Sequence, residues 1–295
     1  LFDERAWGEH MGNRGLSLLA ADLRDDLSRF HLLHYGGKVD GFLISGHNCG
    51  THWLRFMLSA AIAHRLGLPR PARSSGPASD DFIGNPRHPR RFTQAPRIGS
   101  SHHMPSRLVA ILGALRLVKL PPTVVLVRNI PDAVLSYFFK WREAKALGPL
   151  DDYVAREPSP KGVDLWWFIR FFNRWGLLQR VFPDAVLVVR YEDLQAEPEV
   201  WVRRIWAHWG IELSRPDLDA AMSVYSREEI AAHLDPAYGE DITPDRRARQ
   251  ALRLEWNQAA LLGGRLVEHL EHDFGYVTLV RHRRAQAAAQ RQAAA

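Results

Sequence analysis

GFLISGHNCGTHWLRFML, residues 41–58, divides into three parts. An apolar run, Phe42-Leu43-Ile44, ends in a polar loop from Ser45 to His52, and an amphipathic run begins at Trp53. A strand that feeds a tight loop and then a helix brings backbone N–H groups and the positive helix end to one point, a geometry that binds phosphate or sulfate. Gly50 lets the backbone approach a ligand closely, Thr51 adds a hydroxyl, and Trp53 offers a flat face to a base. The loop is not a Walker A sequence, which requires G-x-x-x-x-G-K-[ST]. Gly46 and Gly50 are one residue too close, and Thr51 stands where the lysine would be. An ordinary P-loop kinase or ATPase is therefore not expected.

The same alternation continues outward. Arg97 to Ser101, Thr123 to Val127 and Ala185 to Val189 are further strand-like runs. TVVLV and AVLVV are continuously apolar, as in strands buried on both faces of a parallel sheet. Helical patterns follow or separate them at Trp53 to Arg65, Ser106 to Leu117, Pro131 to Leu147 and Asp164 to Val181, the last heavily aromatic. The pattern predicts an α/β fold with a central parallel sheet flanked by helices. The last third reads helical: Glu197 to Trp209, a capping-box form at Ser226 to Glu229, and a helix from Thr243-Pro244 to about Leu262. Pro69 to Pro96 and Gly148 to Val163 read as long loops suited to lids or binding loops. One domain is expected over residues 1–280, with the low-complexity tail 281–295 outside the core.

The chain has 295 residues, 46% hydrophobic and 24% charged, with a formal net charge of +6. That balance suits a globular protein with an anionic ligand or surface. Its single cysteine, Cys49, permits no intrachain disulfide and fits a reducing compartment. No apolar run approaches the roughly 18 residues that span a bilayer. The first residues, LFDERAWGEH, lack the apolar core of a signal peptide. A cytoplasmic location is expected, with peripheral membrane contact left open. The arginines are dispersed and form no nucleic-acid motif, so no nucleic-acid partner is expected. Composition and motifs carry no sign of oligomeric state.

A second anion signal lies in VVLVRNIPDAVLSYF, residues 124–138. Arg128 ends a buried strand, where open α/β sheets bind ligands. Ser136, eight residues on and two turns into the next helix, can face the same crevice. Charge from Arg128 and a hydroxyl from Ser136 could together hold a second phosphate.

These motifs, taken in order, resemble the sulfotransferases that use 3′-phosphoadenosine 5′-phosphosulfate (PAPS). His47-Asn-Cys-Gly-Thr-His-Trp53 resembles that family's 5′-phosphosulfate loop, P-K-S-G-T-T-W, and Arg128 with Ser136 resembles its 3′-phosphate motif. Arg190-Tyr-Glu-Asp-Leu194 resembles its Y-E-D-L run, Ser101-His-His-Met-Pro105 its T-H-L-P, and Phe274-Gly-Tyr276 its L-G-Y. The resemblance spans roughly residues 40–276 and implies the P-loop-like sulfotransferase fold. It implies that His47, Asn48, Cys49, Gly50, Thr51 and His52 surround the 5′-phosphosulfate, with Trp53 stacked on adenine. It further implies that Arg128 and Ser136 bind the 3′-phosphate, that Tyr191 reaches the adenine, and that His103 is the base. The co-substrate would be PAPS, the nucleotide product 3′,5′-adenosine bisphosphate, and the acceptor a hydroxyl on a small molecule, glycan or lipid, with no metal.

The departures from the pattern define an alternative. Asn48 stands where the family's loop has lysine, Cys49 where it has serine, and the late R-K-G clamp has no clean counterpart beyond Arg246, Arg247 and Arg249. His47, His52 and Arg55 are candidates for the missing charge. A weakened or inactive nucleotide-binding relative is therefore the second reading. A thiol enzyme built on Cys49 with His47 and His52, and a metal site built from the pairs His31/His34, His47/His52 and His102/His103, are rivals that no further motif supports.

Overall fold

Among the described residues five strands, numbered β1 to β5 in chain order with the ranges given below, form one parallel sheet in the order β2-β3-β1-β4-β5. The computed structural model describes residues 32–35, 37–89, 91–159, 162–235 and 256–276, with the single positions 20 and 24. The expected helix start at Thr243-Pro244, the arginines 246, 247 and 249, His31, the first residues and the tail 281–295 lie outside the described residues.

A short helix, α1 (Leu32–Tyr35), precedes β1 (Gly41–Ser45), whose residues are all buried. β1 pairs with β3 (Ile98–Ser101) on one side and β4 (Thr123–Val127) on the other, in the registers Leu43↔Ser100 and Leu43↔Val124. β4 is buried at every position and pairs with β5 (Val186–Arg190). This is what a continuously apolar strand in a covered parallel sheet requires. The chain leaves β1 toward β3 and later crosses to β4 on the opposite side. The crevice at the carboxyl ends of β1 and β4 is thus a topological switch point, the place where such sheets bind ligands.

α2 (Thr51–Arg65) follows β1, α3 (Arg107–Ala114) follows β3, and α4 (Ile130–Trp141) follows β4. α6 (Leu165–Val181) starts at Asp164, whose side chain accepts from Trp167 N at 3.0 Å. Phe168, Phe171, Phe172 and Trp175 of α6 are at most 1% exposed, so this aromatic helix is chiefly core. After β5 come α7 (Tyr191–Ala196), α8 (Pro198–His208), α9 (Arg215–Met222), α10 (Arg227–Ala232) and, beyond the undescribed stretch, α11 (Trp256–His269).

Both expected long loops are corrected. The first contains the edge strand β2 (Ile83–Gly84) and is pinned to the α10 end by Ser74 N to His233 O, 2.8 Å, and Asp235 N to Ser75 Oγ, 3.0 Å. The second contains α5 (Leu150–Ala155), held by Arg265 of α11 donating to the Val154 and Arg156 carbonyls at 2.7 and 2.9 Å. Gln258 of α11 adds a 2.6 Å bond to Asp151. Many side-chain and backbone bonds of this kind make each segment part of the body of the fold.

Candidate active site

The loop between β1 and α2 is built on two left-handed residues, Asn48 at φ 56° and Gly50 at φ 92°. Asparagine tolerates that region better than long side chains do, so backbone geometry gives one reason for its presence. Gly50 has a second constraint: a Cβ there would lie 2.8 Å from the Tyr191 ring. Gly50 is the N-cap of α2 and supplies no side-chain cap. The opening N–H groups of the helix are therefore left for a partner from elsewhere.

Asn48 also ties the loop to the second anion motif. Its Nδ2 donates to Ser136 Oγ at 3.4 Å, and its carbonyl accepts from Arg128 Nη1 at 3.3 Å. The Arg128 guanidinium lies 5.0 Å from the Tyr191 ring centroid, and its buried Nε has no hydrogen-bond partner among the described residues. Trp53 meets Tyr191 edge-on at 5.7 Å and packs on Tyr225 at 5.3 Å, while its Nε1 donates to Tyr225 O at 2.9 Å. Residues expected at the nucleotide from three separate segments thus share one crevice.

Cys49 is corrected. Its side chain is fully buried, with Sγ 3.5 Å from His47 O, and burial pushes the thiol up to about 12. It can neither bind a ligand through sulfur nor act as a nucleophile at neutral pH, which removes the thiol-enzyme reading. Arg55, a candidate for the missing loop charge, is committed to Asp80 at 3.2 Å.

The adjacent histidines separate as strand-end geometry requires. His102 Nδ1 lies 2.8 Å from Ser45 O, an acceptor, so Nδ1 carries the proton and Nε2 is left with a lone pair. Ser45 Oγ is 3.2 Å from the same nitrogen and 2.7 Å from Thr51 Oγ1. The His102 ring packs 4.0 Å from that of His47. His103 is only 7% exposed, and its carbonyl accepts from Trp175 Nε1 of α6 at 3.0 Å. His102 is in contact with the loop through Ser45 and His47.

His47 turns into an aromatic wall, with Trp167 at 4.6 Å and Tyr137 at 5.7 Å. Lys145 Nζ donates to Tyr137 OH at 2.6 Å and lies 4.7 Å from the Trp141 ring. Desolvation, then His102, Lys145 and Lys140, lower the His47 pKa to about 2. His102 is lowered to about 4, again by desolvation first, with the bond to Ser45 opposing. The residue is nevertheless exposed, and solvent access tempers that desolvation. Both rings are neutral at pH 7. Tyr137 and Trp141, one helical turn apart on α4, and Lys145 were given no site role by the motifs, while Trp167 lies in the aromatic helix legible in the sequence.

Beyond Tyr191, which lines the crevice, the Y-E-D-L run meets the F-G-Y run. Glu192 accepts from Asn129 N at 3.1 Å and from Tyr276 OH at 2.5 Å, and Arg190 pairs with Asp193 at 2.6 Å while donating to Gly275 O at 3.2 Å. This clasp fixes the residue after Arg128. Among the described residues no cluster of three metal-ligating side chains occurs, and no helix is long and apolar enough to cross a membrane.

Comparison with known proteins agrees with this architecture. Residues 80–215 match a family model described as Sulfotransferase family. The matched span takes in His102, Arg128, Ser136 and Tyr191 and stops short of the 45–53 loop. Among solved structures, mouse sulfotransferase SULT7A1 complexed with PAP superposes with a TM-score of 0.52 at 16% identity, over 88% of this chain and 93% of that one. Retinol dehydratase, in complex with androsterone and the inactive cofactor PAP, gives 0.53 at 13% identity, over 86% of this chain and 88% of that one. At such identities the likeness is one of fold. No curated protein matches by sequence.

Proposed function

We propose that this chain, matched over residues 80–215 to the sulfotransferase family model and sharing that fold, is a sulfotransferase that transfers a sulfuryl group from PAPS to an acceptor hydroxyl. The observation that carries the reading is Arg128. A buried guanidinium nitrogen without a partner among the described residues, on a side chain that bonds the β1–α2 loop and lies against the Tyr191 ring, supports an anionic nucleotide. Arg128 and Ser136 would take the 3′-phosphate, and the loop N–H groups with Thr51 the 5′-phosphosulfate. Trp53 and Tyr191 would flank the adenine.

The transfer resembles phosphoryl transfer, in which positioning and charge stabilisation do most of the work. The acceptor oxygen forms a bond to sulfur as the bond between sulfur and the bridging oxygen breaks, releasing 3′,5′-adenosine bisphosphate. The acceptor proton needs a base. His102 suits that role better than the expected His103, because its tautomer leaves Nε2 free to accept and its ring borders the loop. Asn48 can donate a hydrogen bond to the leaving group but no charge. Lys140 and Lys145, which act electrostatically on His47, would supply it from α4 and the turn after it. The acceptor would lie against Trp167, Tyr137 and His47. The cytoplasmic assignment belongs to this proposal.

The second reading, a binder that turns over no acceptor, rests on Asn48. One experiment separates the two. Calorimetric titration with 3′,5′-adenosine bisphosphate, with ATP as control, should show micromolar binding selective against ATP. Labelled PAPS offered with a panel of phenols, alcohols and glycans should then yield sulfated product. Binding without product supports the second reading, and absence of binding defeats both.

A further inference from the structure

We propose that α3 and the turn after it form a docking surface for an anionic lipid bilayer. Leu108, Ile111, Leu115 and Leu117 are 42%, 55%, 62% and 68% exposed. These four of the large apolar side chains exposed among the described residues fall within ten positions of sequence. Leu108, Ile111 and Leu115 follow helical spacing, so they share one face. The opposite face is already used: Val109 and Ala110 are buried, and Gly113 sits directly against the Phe182 ring. The helix is therefore apolar on its core side and on its outer side, and the outer side needs a partner of its own.

The end of α3 keeps that face continuous. Arg116 N bonds Gly113 O and Leu117 N bonds Leu112 O, both at 2.8 Å, with Arg116 in the left-handed region at φ 57°. This Schellman closure holds Leu117 beside the last helical turn and leaves the Arg116 side chain exposed.

Charge selects the partner. Arg107, Arg116 and Lys119 border the stripe and are exposed, and no Asp or Glu occurs anywhere from Phe82 to Pro131. Apolar tips set among cations match the boundary between acyl chains and anionic headgroups. A second copy of the chain fits less well. A two-fold interface through this face would gather the basic residues of both copies, with no acidic residue from 82 to 131 to offset them, into one contact. Since α3 starts four residues after His103, docking would also fix the orientation of the site relative to the bilayer.

The test is cosedimentation of the full chain with vesicles of phosphatidylcholine alone and of phosphatidylcholine with phosphatidylserine. The expected result is binding to the anionic vesicles only, weakening as salt rises. The double variant Ile111→Glu/Leu115→Glu should lower the bound fraction's affinity at least about tenfold, through lost apolar insertion. Arg116→Gln/Lys119→Gln should lower it as well, and both variants should unfold at the unaltered protein's temperature because the side chains are exposed. Equal binding to both vesicle types, no binding, or binding indifferent to either variant overturns the proposal. So does a concentration-dependent dimer in light scattering that Ile111→Glu/Leu115→Glu dissociates, since the face would then belong to a second copy.

Discussion

The choice between two neighbouring histidines shows what one residue's environment decides. His102 has its tautomer set by Ser45 O, whereas His103 is closed in beneath α6. His102→Ala should reduce kcat by about 10²–10⁴-fold, the usual contribution of a positioned base, while nucleotide affinity stays unchanged. His103→Ala should cost stability more than turnover; the reverse ranking in steady-state assays would return the base to His103. Because the His102 pKa is lowered, the acid limb of the kcat profile should fall well below pH 6.5. Stability should respond to acid as well. His47 stays neutral in the folded state while the unfolded chain takes up a proton near pH 6.5, so its contribution is lost as pH falls below that value. Thermal unfolding should show Tm dropping between pH 7 and pH 5, and dropping less in His47→Gln. Cys49 offers a test of the opposite kind. With its thiol buried and its pKa raised, it should resist iodoacetamide in the native protein and react after denaturation, as mass spectrometry would read.

At the scale of elements, what was legible in the sequence is what local pattern encodes. Continuous apolar runs marked β1, β4 and β5 to within a residue, and strand–loop–helix order marked the crevice. β2 has two residues, too few for any period to show, and α5 exists through bonds from α11 more than 100 positions away in sequence. The Glu192–Tyr276 contact joins positions 84 apart, so two motifs that resemblance could align gave no hint that they touch. Side-chain direction at a strand end is set by the turn that follows, which is why sequence spacing alone could not say how His102 and His103 would each be placed. Gly50 tests the loop itself. Gly50→Ala would force a residue with a Cβ to φ 92° and into the Tyr191 ring. The left-handed conformation alone costs about 1–2 kcal/mol, and displacing Tyr191 would open the adenine side. Both a lower Tm and weaker binding of 3′,5′-adenosine bisphosphate are expected; a fully stable variant with unaltered affinity would remove Tyr191 from the site.

At the scale of the molecule, the site is an assembly of distant segments. The β1–α2 loop, Arg128 and Ser136 after β4, Tyr191 after β5 and Tyr225 after α9 converge only because the sheet order sets β4 beside β1 and β5 beside β4. A ligand gripping all of them should stabilise the fold as a whole, not one loop. At a nucleotide concentration 100 times Kd, linkage gives about 2.7 kcal/mol. For a chain of this size that corresponds to an upward shift in Tm of about 5 °C. Arg128→Ala removes a charged hydrogen bond, worth about 1.5–3 kcal/mol of binding. At the same absolute nucleotide concentration, most of the thermal shift should disappear. The variant's own Tm without nucleotide should fall somewhat, because Nη1 gives up its bond to Asn48 O and the guanidinium its contact with Tyr191, so the quantity to compare is the nucleotide-induced shift. A shift that survives Arg128→Ala intact would mean that the nucleotide is held elsewhere, and the convergence of these segments would need another explanation.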